Sequence, residues 1–144
     1  MPEIMAKPGD PVVGRDHALG MEEFVAVLRA SGLAERRPVD DAERIAGMVS
    51  GANLIVTARV DGLLVGIARS VTDFAYCCYL SDLAVDQTWQ GKGVGRRLIA
   101  ETRRLIDPRA RLLLLSAPGA ITFYEQAGLP RLDNAFDVPV AFGQ

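Results

Sequence analysis

Between Met21 and Ser31 the residues Phe24, Val27, Leu28 and Ser31 recur at helical spacing, with Glu22 and Glu23 in the first turn and Gly32 as a stop. This pattern predicts a helix. A second helix is predicted after Asp40, which stands three residues before Glu43 as in a capping box and leads into Ile45, Met48, Val49 and then Gly51. Ahead of both, Pro11–Arg15 offers one short strand in a stretch otherwise rich in proline, glycine and charge. The pattern then turns to that of strands. Asn53–Val60 and Leu63–Ser70 flank Asp61-Gly62, a pair suited to the positive φ angles of a tight hairpin, so the two runs are expected to be antiparallel neighbours. Tyr76–Val85 is aromatic and apolar enough for a third, central strand that runs into a polar, glycine-rich loop.

Beyond the loop, Val94, Leu98, Thr102, Leu105 and Ile106 mark one face of a helix, and Arg96, Arg97, Glu101, Arg103 and Arg104 populate the other until Pro108 stops it. Arg111–Leu115 reads as a buried strand, Pro118–Ala127 as a short helix with Gly128 past its end, and Phe136–Phe142 as a last strand. The predicted order is βααβββαβαβ, an α/β (α+β) chain in one domain spanning residues 1–144.

Composition narrows the partners. The 144 residues carry 16 basic and 18 acidic side chains, a net charge of −2, which gives no overall basic field for a nucleic-acid backbone. Apolar runs such as Leu112–Leu115 fall far short of the roughly 20 residues needed to cross a bilayer. The start of the chain lacks a basic region followed by an apolar stretch, so no secretory signal is expected and the cytoplasm is the expected address. Cys77 and Cys78 are strand neighbours whose side chains point to opposite faces, a poor geometry for a disulfide and more suited to small packing residues. With His17 as the single histidine, no metal is expected and a histidine-based nucleophile system is disfavoured.

The chemistry concentrates at Gln90-Gly91-Lys92-Gly93-Val94-Gly95-Arg96, between a strand and a helix start. Unpaired N–H groups and the helix dipole favour an anion there, glycines allow a diphosphate to approach closely, and Lys92 and Arg96 add positive charge. An ordinary glycine turn is the competing reading. The loop lacks the Ser or Thr that a P-loop needs after its Gly-Lys, and Arg96 stands where a dinucleotide fingerprint requires its third glycine. Nucleotide hydrolysis and nicotinamide binding are both disfavoured.

The spacing Gln90-x-x-Gly93-x-Gly95, preceded by Leu83-Ala84-Val85, resembles the Q/R-x-x-G-x-G/A signature of the GNAT superfamily of acyl-CoA N-acyltransferases. Ala120-Ile121-Thr122-Phe123-Tyr124-Glu125-Gln126-Ala127-Gly128-Leu129 is similar to that family's A-x-x-F-Y-E-x-x-G-F segment, with Leu129 in place of the final Phe. The likeness spans about Val12 to Phe142 and is strongest from Tyr79 to Leu129. It implies a mixed, largely antiparallel sheet flanked by helices, with a V-shaped opening between Tyr76–Val85 and Arg111–Leu115 that takes the pantetheine arm of acetyl-CoA. On this resemblance Leu83, Ala84 and Val85 offer main-chain hydrogen bonds, and Gln90, Gly91, Lys92, Gly93, Val94, Gly95 and Arg96 hold the diphosphate. Ala117 stands where the family often has an Asn that bonds the arm.

The implied reaction is N-acetylation of a primary amine of a small molecule by direct attack in a ternary complex. Tyr124 matches the family tyrosine that protonates the leaving thiolate; a phenol with a reference pKa of about 10 can do so at neutral pH. By its sequence alone it also reads as a packing residue beside Ile121 and Ala127. Asp82, a carboxylate in an otherwise apolar strand, is expected to help deprotonate the amine, with a buried structural carboxylate as the alternative. Strict alternation puts Tyr79 and Ser81 on the face opposite Asp82, and Tyr79 is taken as a substrate-binding residue. A non-catalytic acyl-CoA-binding or sensor module and a protein lysine acetyltransferase are the competing functions, and a homodimer is left open.

Overall fold

The computed structural model describes residues 7–144; the first six residues, on which part of the leader reading rests, lie outside it. β1 (Val12–Arg15) is followed by α1 (Met21–Ser31), a 3₁₀ turn at Leu33–Arg36 and α2 (Ala42–Gly51). Three long strands come next: β2 (Leu54–Val60), β3 (Leu63–Thr72) and β4 (Cys77–Val85). Then come α3 (Val94–Arg104), β5 (Arg111–Leu114) and, after a 3₁₀ turn at Pro118–Ala120, α4 (Ile121–Gln126). The sheet order is β1-β2-β3-β4-β5, antiparallel from β1 to β4 and parallel between β4 and β5. The expected mixed, largely antiparallel sheet with flanking helices is therefore the observed fold.

Local chemistry explains the boundaries. The Gly20 N–H donates to the Glu23 carboxylate at 3.0 Å at the start of α1, and Gly32 closes that helix at φ +88°. Asp61 and Gly62 adopt φ +49° and +85°, the conformation the tight hairpin between β2 and β3 demands. The cap of α2 is one residue later than expected. Asp41, not Asp40, accepts the Arg44 N–H at 3.1 Å, because the turn through Pro38–Asp41 leaves Asp41 as the extended residue, while exposed Asp40 pairs with Arg29 at 3.4 Å.

The two faces of the sheet are filled separately. Leu54, Val56, Ala58 and Leu80 pack with Leu98 and Val94 of α3, while Ile55, Ile67 and Ala84 pack with Phe24 and Leu28 of α1 and Ile45 of α2. Cys78 is buried in the α3-side core, which pushes its thiol above the ordinary value, and Cys77 on the other face is exposed.

Two expectations fail. Phe136–Phe142 forms no strand: Pro139 lacks an N–H, its carbonyl takes the Phe142 N–H in a turn at 3.0 Å, and no strand among the described residues pairs with the segment. The element order thus ends at βααβββαβα. Strict alternation also breaks in β4. Arg69 lies opposite Asp82 and Ser70 opposite Leu80, so Ser81 is an extra residue in a β-bulge. Past this bulge the phase changes. Ser81 and Asp82 both meet Arg69, on the same face as Tyr79 and away from Cys78 and Leu80.

Candidate active site

β4 and β5 part company where the bulge begins. Their pairing runs from Cys77 with Arg111 to Leu80 with Leu114 and stops, so Asp82–Val85 is paired with β3 alone and the bulge residue Ser81 with neither strand. A bulge increases local twist and bends the strand that carries it, which turns the second half of β4 away from β5. The β5 side of β4 past Leu80 is thus left open, with no strand paired to its main-chain groups. Leu83 and Val85 pack toward the α3-side core and Ala84 toward α1. The Val85 carbonyl accepts from Gln90 Nε2 at 2.9 Å, so the Gln90 side chain braces the end of β4.

The loop at the mouth of this opening has two kinds of glycine. Gly91 and Gly93 adopt φ +77° and +83°, and a Cβ at either would meet no atom within 4 Å, so their need is conformational and the space above them is open. Gly95 is different: a Cβ there would lie 3.0 Å from the Phe123 ring, so its absence lets α4 sit against the head of α3. No side chain caps α3; Arg97 N–H returns to the Gly93 carbonyl at 3.1 Å, leaving the amides ahead of it without acceptors inside the helix. The Lys92 ammonium lies 4.7 Å from the centre of the Trp89 ring, and Arg96 donates to the Gln126 carbonyl at 2.7 Å, which ties the loop to the end of α4. Open space, free amides and positive charge fit an anionic diphosphate.

Tyr124 is half-buried on α4, its ring edge-on to Phe123 with centroids 5.0 Å apart. Burial pushes its hydroxyl above the ordinary tyrosine value, and the Arg37 guanidinium pulls it part of the way back. The phenol is therefore a proton donor throughout the neutral range. Arg37 is itself bonded to β4: its Nη2 donates to the Ser81 carbonyl at 2.9 Å and its Nε to Asp82.

Asp82 is fully buried. One carboxylate oxygen accepts from Arg37 Nε and the other from Arg69 Nε, and Arg69 also donates to Ser81 Oγ at 3.0 Å and to the Met48 carbonyl at 3.2 Å. With both oxygens engaged and no surface exposed, these surroundings are those of the structural reading, a pin through the bulge that joins β3, β4 and the segment after α1. Tyr79, by contrast, is 44% exposed. Ala117 precedes the turn into α4, and its carbonyl accepts the Ala120 N–H at 2.9 Å.

Arg37 and Arg69 were not anticipated by the motifs. Arg69 carried a signal, a charge in an apolar strand beside another strand with a lone carboxylate, whereas Arg37 reaches β4 only through the chain path after α1.

A family model for the acetyltransferase (GNAT) domain matches residues 27–138. The chain belongs to the GNAT acetyltransferases. Among curated proteins, this acetyltransferase is 31% identical over 67 residues to an uncharacterised N-acetyltransferase, described as ycf52-like, from Prochlorococcus marinus. That stretch is 45% of this chain and 37% of the relative, so the match spans little more than a third of the relative's length. A GNAT-family acetyltransferase from Streptococcus pneumoniae superposes with a TM-score of 0.73 at 20% identity, covering 90% of this chain and 97% of that one. The aminoglycoside acetyltransferase AAC(6')-Iy, in complex with the bisubstrate analogue CoA-S-monomethyl-acetylneamine, gives a TM-score of 0.69 at 13% identity over 90% and 97% of the two chains. At these identities the solved structures speak for the shared GNAT fold.

Proposed function

We propose that this GNAT acetyltransferase moves the acetyl group of acetyl-CoA onto a primary amine of a small molecule by direct attack within a ternary complex. The observation that carries the reading is the β5-side edge of β4 past Leu80, left without a strand partner just ahead of the uncapped head of α3. An extended arm can add to such an edge as a strand would, through main-chain hydrogen bonds. When bound, acetyl-CoA supplies the activated acetyl group as a thioester.

The residues of the chain then have separate tasks. Gly91 and Gly93 give the diphosphate room at the α3 amides, and Lys92 and Arg96 add charge. Main-chain N–H groups of Leu83 and Val85 orient the acyl carbonyl and steady the negative charge that develops on its oxygen. As the amine nitrogen bonds to the acetyl carbon, the C–S bond breaks and the Tyr124 hydroxyl gives its proton to the departing sulfur. The amine's own proton passes to water on the Tyr79 side of β4, since Asp82 is occupied by its two arginines. Asp82, Arg37 and Arg69 act by holding the bulge, and so the opening, in shape.

A small-molecule amine acceptor agrees with the aminoglycoside analogue bound by one structural neighbour. The cytoplasmic address read from the sequence goes with this reading. The test is thiol release from acetyl-CoA against a panel of simple amines, amino sugars and lysine peptides. Acetylated small amines with one thiol released per product are expected; turnover on lysine peptides alone would move the acceptor to protein, and tight binding without thiol release on any acceptor would leave a binding module.

A further inference from the structure

Four large side chains are uncovered beside the fork where β4 and β5 separate. Val71 on β3, Tyr79 on β4 and Leu113 on β5 are paired neighbours across three adjacent strands, on the sheet face away from α3, and Leu115 follows one residue past the last β4–β5 pair. They are 39–66% exposed, whereas Ile55, Ile67 and Ala84 of the same face lie buried under α1 and α2. An apolar strip of this kind, rimmed by polar groups, is the mark of a binding surface.

Both ends of the strip carry charge. Toward the fork stand Arg37 and Arg69, two guanidiniums that share the one carboxylate of Asp82. At the other end, Arg111 is two residues before Leu113 and so on its face; it is exposed and makes no ion pair among the described residues. Asp73, in the turn after β3, is directed into that turn, where one oxygen accepts the Ala75, Tyr76 and Cys77 N–H groups at 2.8–3.0 Å and the other lies 3.9 Å from Cys77 Sγ. Three guanidiniums against two carboxylates leave the strip with excess positive charge, which repels a second ammonium and attracts an anion.

We propose that this strip seats the body of the acceptor, and that the amine acetylated here is carried on a flat apolar group, with a carboxylate favoured and a second ammonium disfavoured at its far end. The inference rests on the transfer reading above, in which the acyl carbonyl sits on the Leu83 and Val85 amides just past the fork. A ring laid over Tyr79 and Leu113 covers apolar surface that the chain itself leaves in water, and it points the amine at the thioester. Arg111 and Leu114 are the first and last residues of the β5 pairing, which spaces the anion site from the fork by roughly 10 Å at the rise of a parallel strand. The same excess positive charge favours loss of the ammonium proton, and the neutral amine is the nucleophile.

Three probes separate the apolar and charge contributions: phenylbutylamine, para-(aminobutyl)benzoate and spermidine. Thiol release from acetyl-CoA by the full chain is read together with calorimetry of each amine into the CoA-loaded protein. The expected order of kcat/KM is the benzoate, then phenylbutylamine, then spermidine, with about 10-fold or more between the last two. Leu113→Gln, at an exposed position, should raise KM for phenylbutylamine about 10-fold with the loss in KM and not in kcat, and CoA affinity reports that the variant is folded. Arg111→Gln should remove the advantage of the benzoate over phenylbutylamine. Spermidine acetylated as well as phenylbutylamine, an unchanged KM in Leu113→Gln, or no binding of either aromatic amine would overturn the inference. Aromatic amines that bind in a Leu113-dependent way without thiol release would support the strip and sink the transfer reading instead.

Discussion

Replacing Asp82 by Asn separates the two roles that a carboxylate in β4 can have. The substitution keeps the volume of the side chain but leaves the guanidiniums of Arg37 and Arg69 facing a neutral amide in a site where Asp82 has no exposed surface. Breaking a buried ion pair by removing one partner costs about 3–5 kcal/mol, because the remaining charge is left uncompensated. The upper part of that range is expected, since two cations are stranded together. For a chain of 144 residues, a loss of this size lowers the melting temperature by roughly 10–20 °C. Differential scanning fluorimetry or circular dichroism measures that shift, and kcat/KM against pH measures the chemistry in the same variant below its melting point. The expected result is a large drop in Tm with the acidic limb of the pH profile in its parental position. A variant that melts within about 2 °C of the parent and loses the acidic limb would refute the structural role and make Asp82 the base.

Three further outcomes follow from the same geometry. Tyr124→Phe should lower kcat by about 10²-fold with acetyl-CoA affinity unchanged, and because burial raises the phenol, the rate loss at high pH in the parent should begin above the ordinary tyrosine value of 10.0. An unaltered chemical step in single-turnover kinetics would remove that assignment. Gly95→Val should weaken acetyl-CoA binding and stability together, by displacing Phe123, whereas Gly93→Ala should chiefly strain a backbone held at φ +83°, at a cost of about 1–2 kcal/mol; calorimetry and thermal melts tell them apart. The third concerns acid stability. Burial pulls the Asp16 carboxyl up, but the Ala18 amide, the Arg59 guanidinium and the Thr57 hydroxyl outweigh it and hold it below 3.8; Arg59 likewise holds Glu23 below 4.5. Their contribution is fully present above those values and lost as the pH falls through the depressed folded ones. Arg59→Gln should cost about 2 kcal/mol at neutral pH and much less near pH 2, as read by urea unfolding.

Local features were the legible ones. The Asp61-Gly62 turn, the Gly32 stop and the strand-to-helix glycine loop each depend on residues within a few positions of one another, and they stand where the pattern puts them. What escaped depends on partners far along the chain. The Ser81 bulge exists only relative to the register of β3, and it reverses the face assigned to Asp82 with respect to Tyr79 and Ser81. Gly95 looked like one more phosphate-loop glycine, yet its constraint is the ring of Phe123 on α4. Arg37 belongs to no motif and becomes relevant through the turn after α1, which delivers it to Ser81 and Asp82. Phe136–Phe142 alternates as a strand should, but alternation supplies only half of a strand, and the other half is an edge to pair with.

Backbone hydrogen exchange with and without acetyl-CoA tests the central claim most directly, because it reads the amides that the account assigns to binding. Protection is expected in peptides covering Ser81–Val85 and Gly91–Arg96, with Gly93→Val abolishing it in a folded chain. Acetyl-CoA that binds while leaving both stretches unchanged, and protects residues elsewhere, would contradict the account.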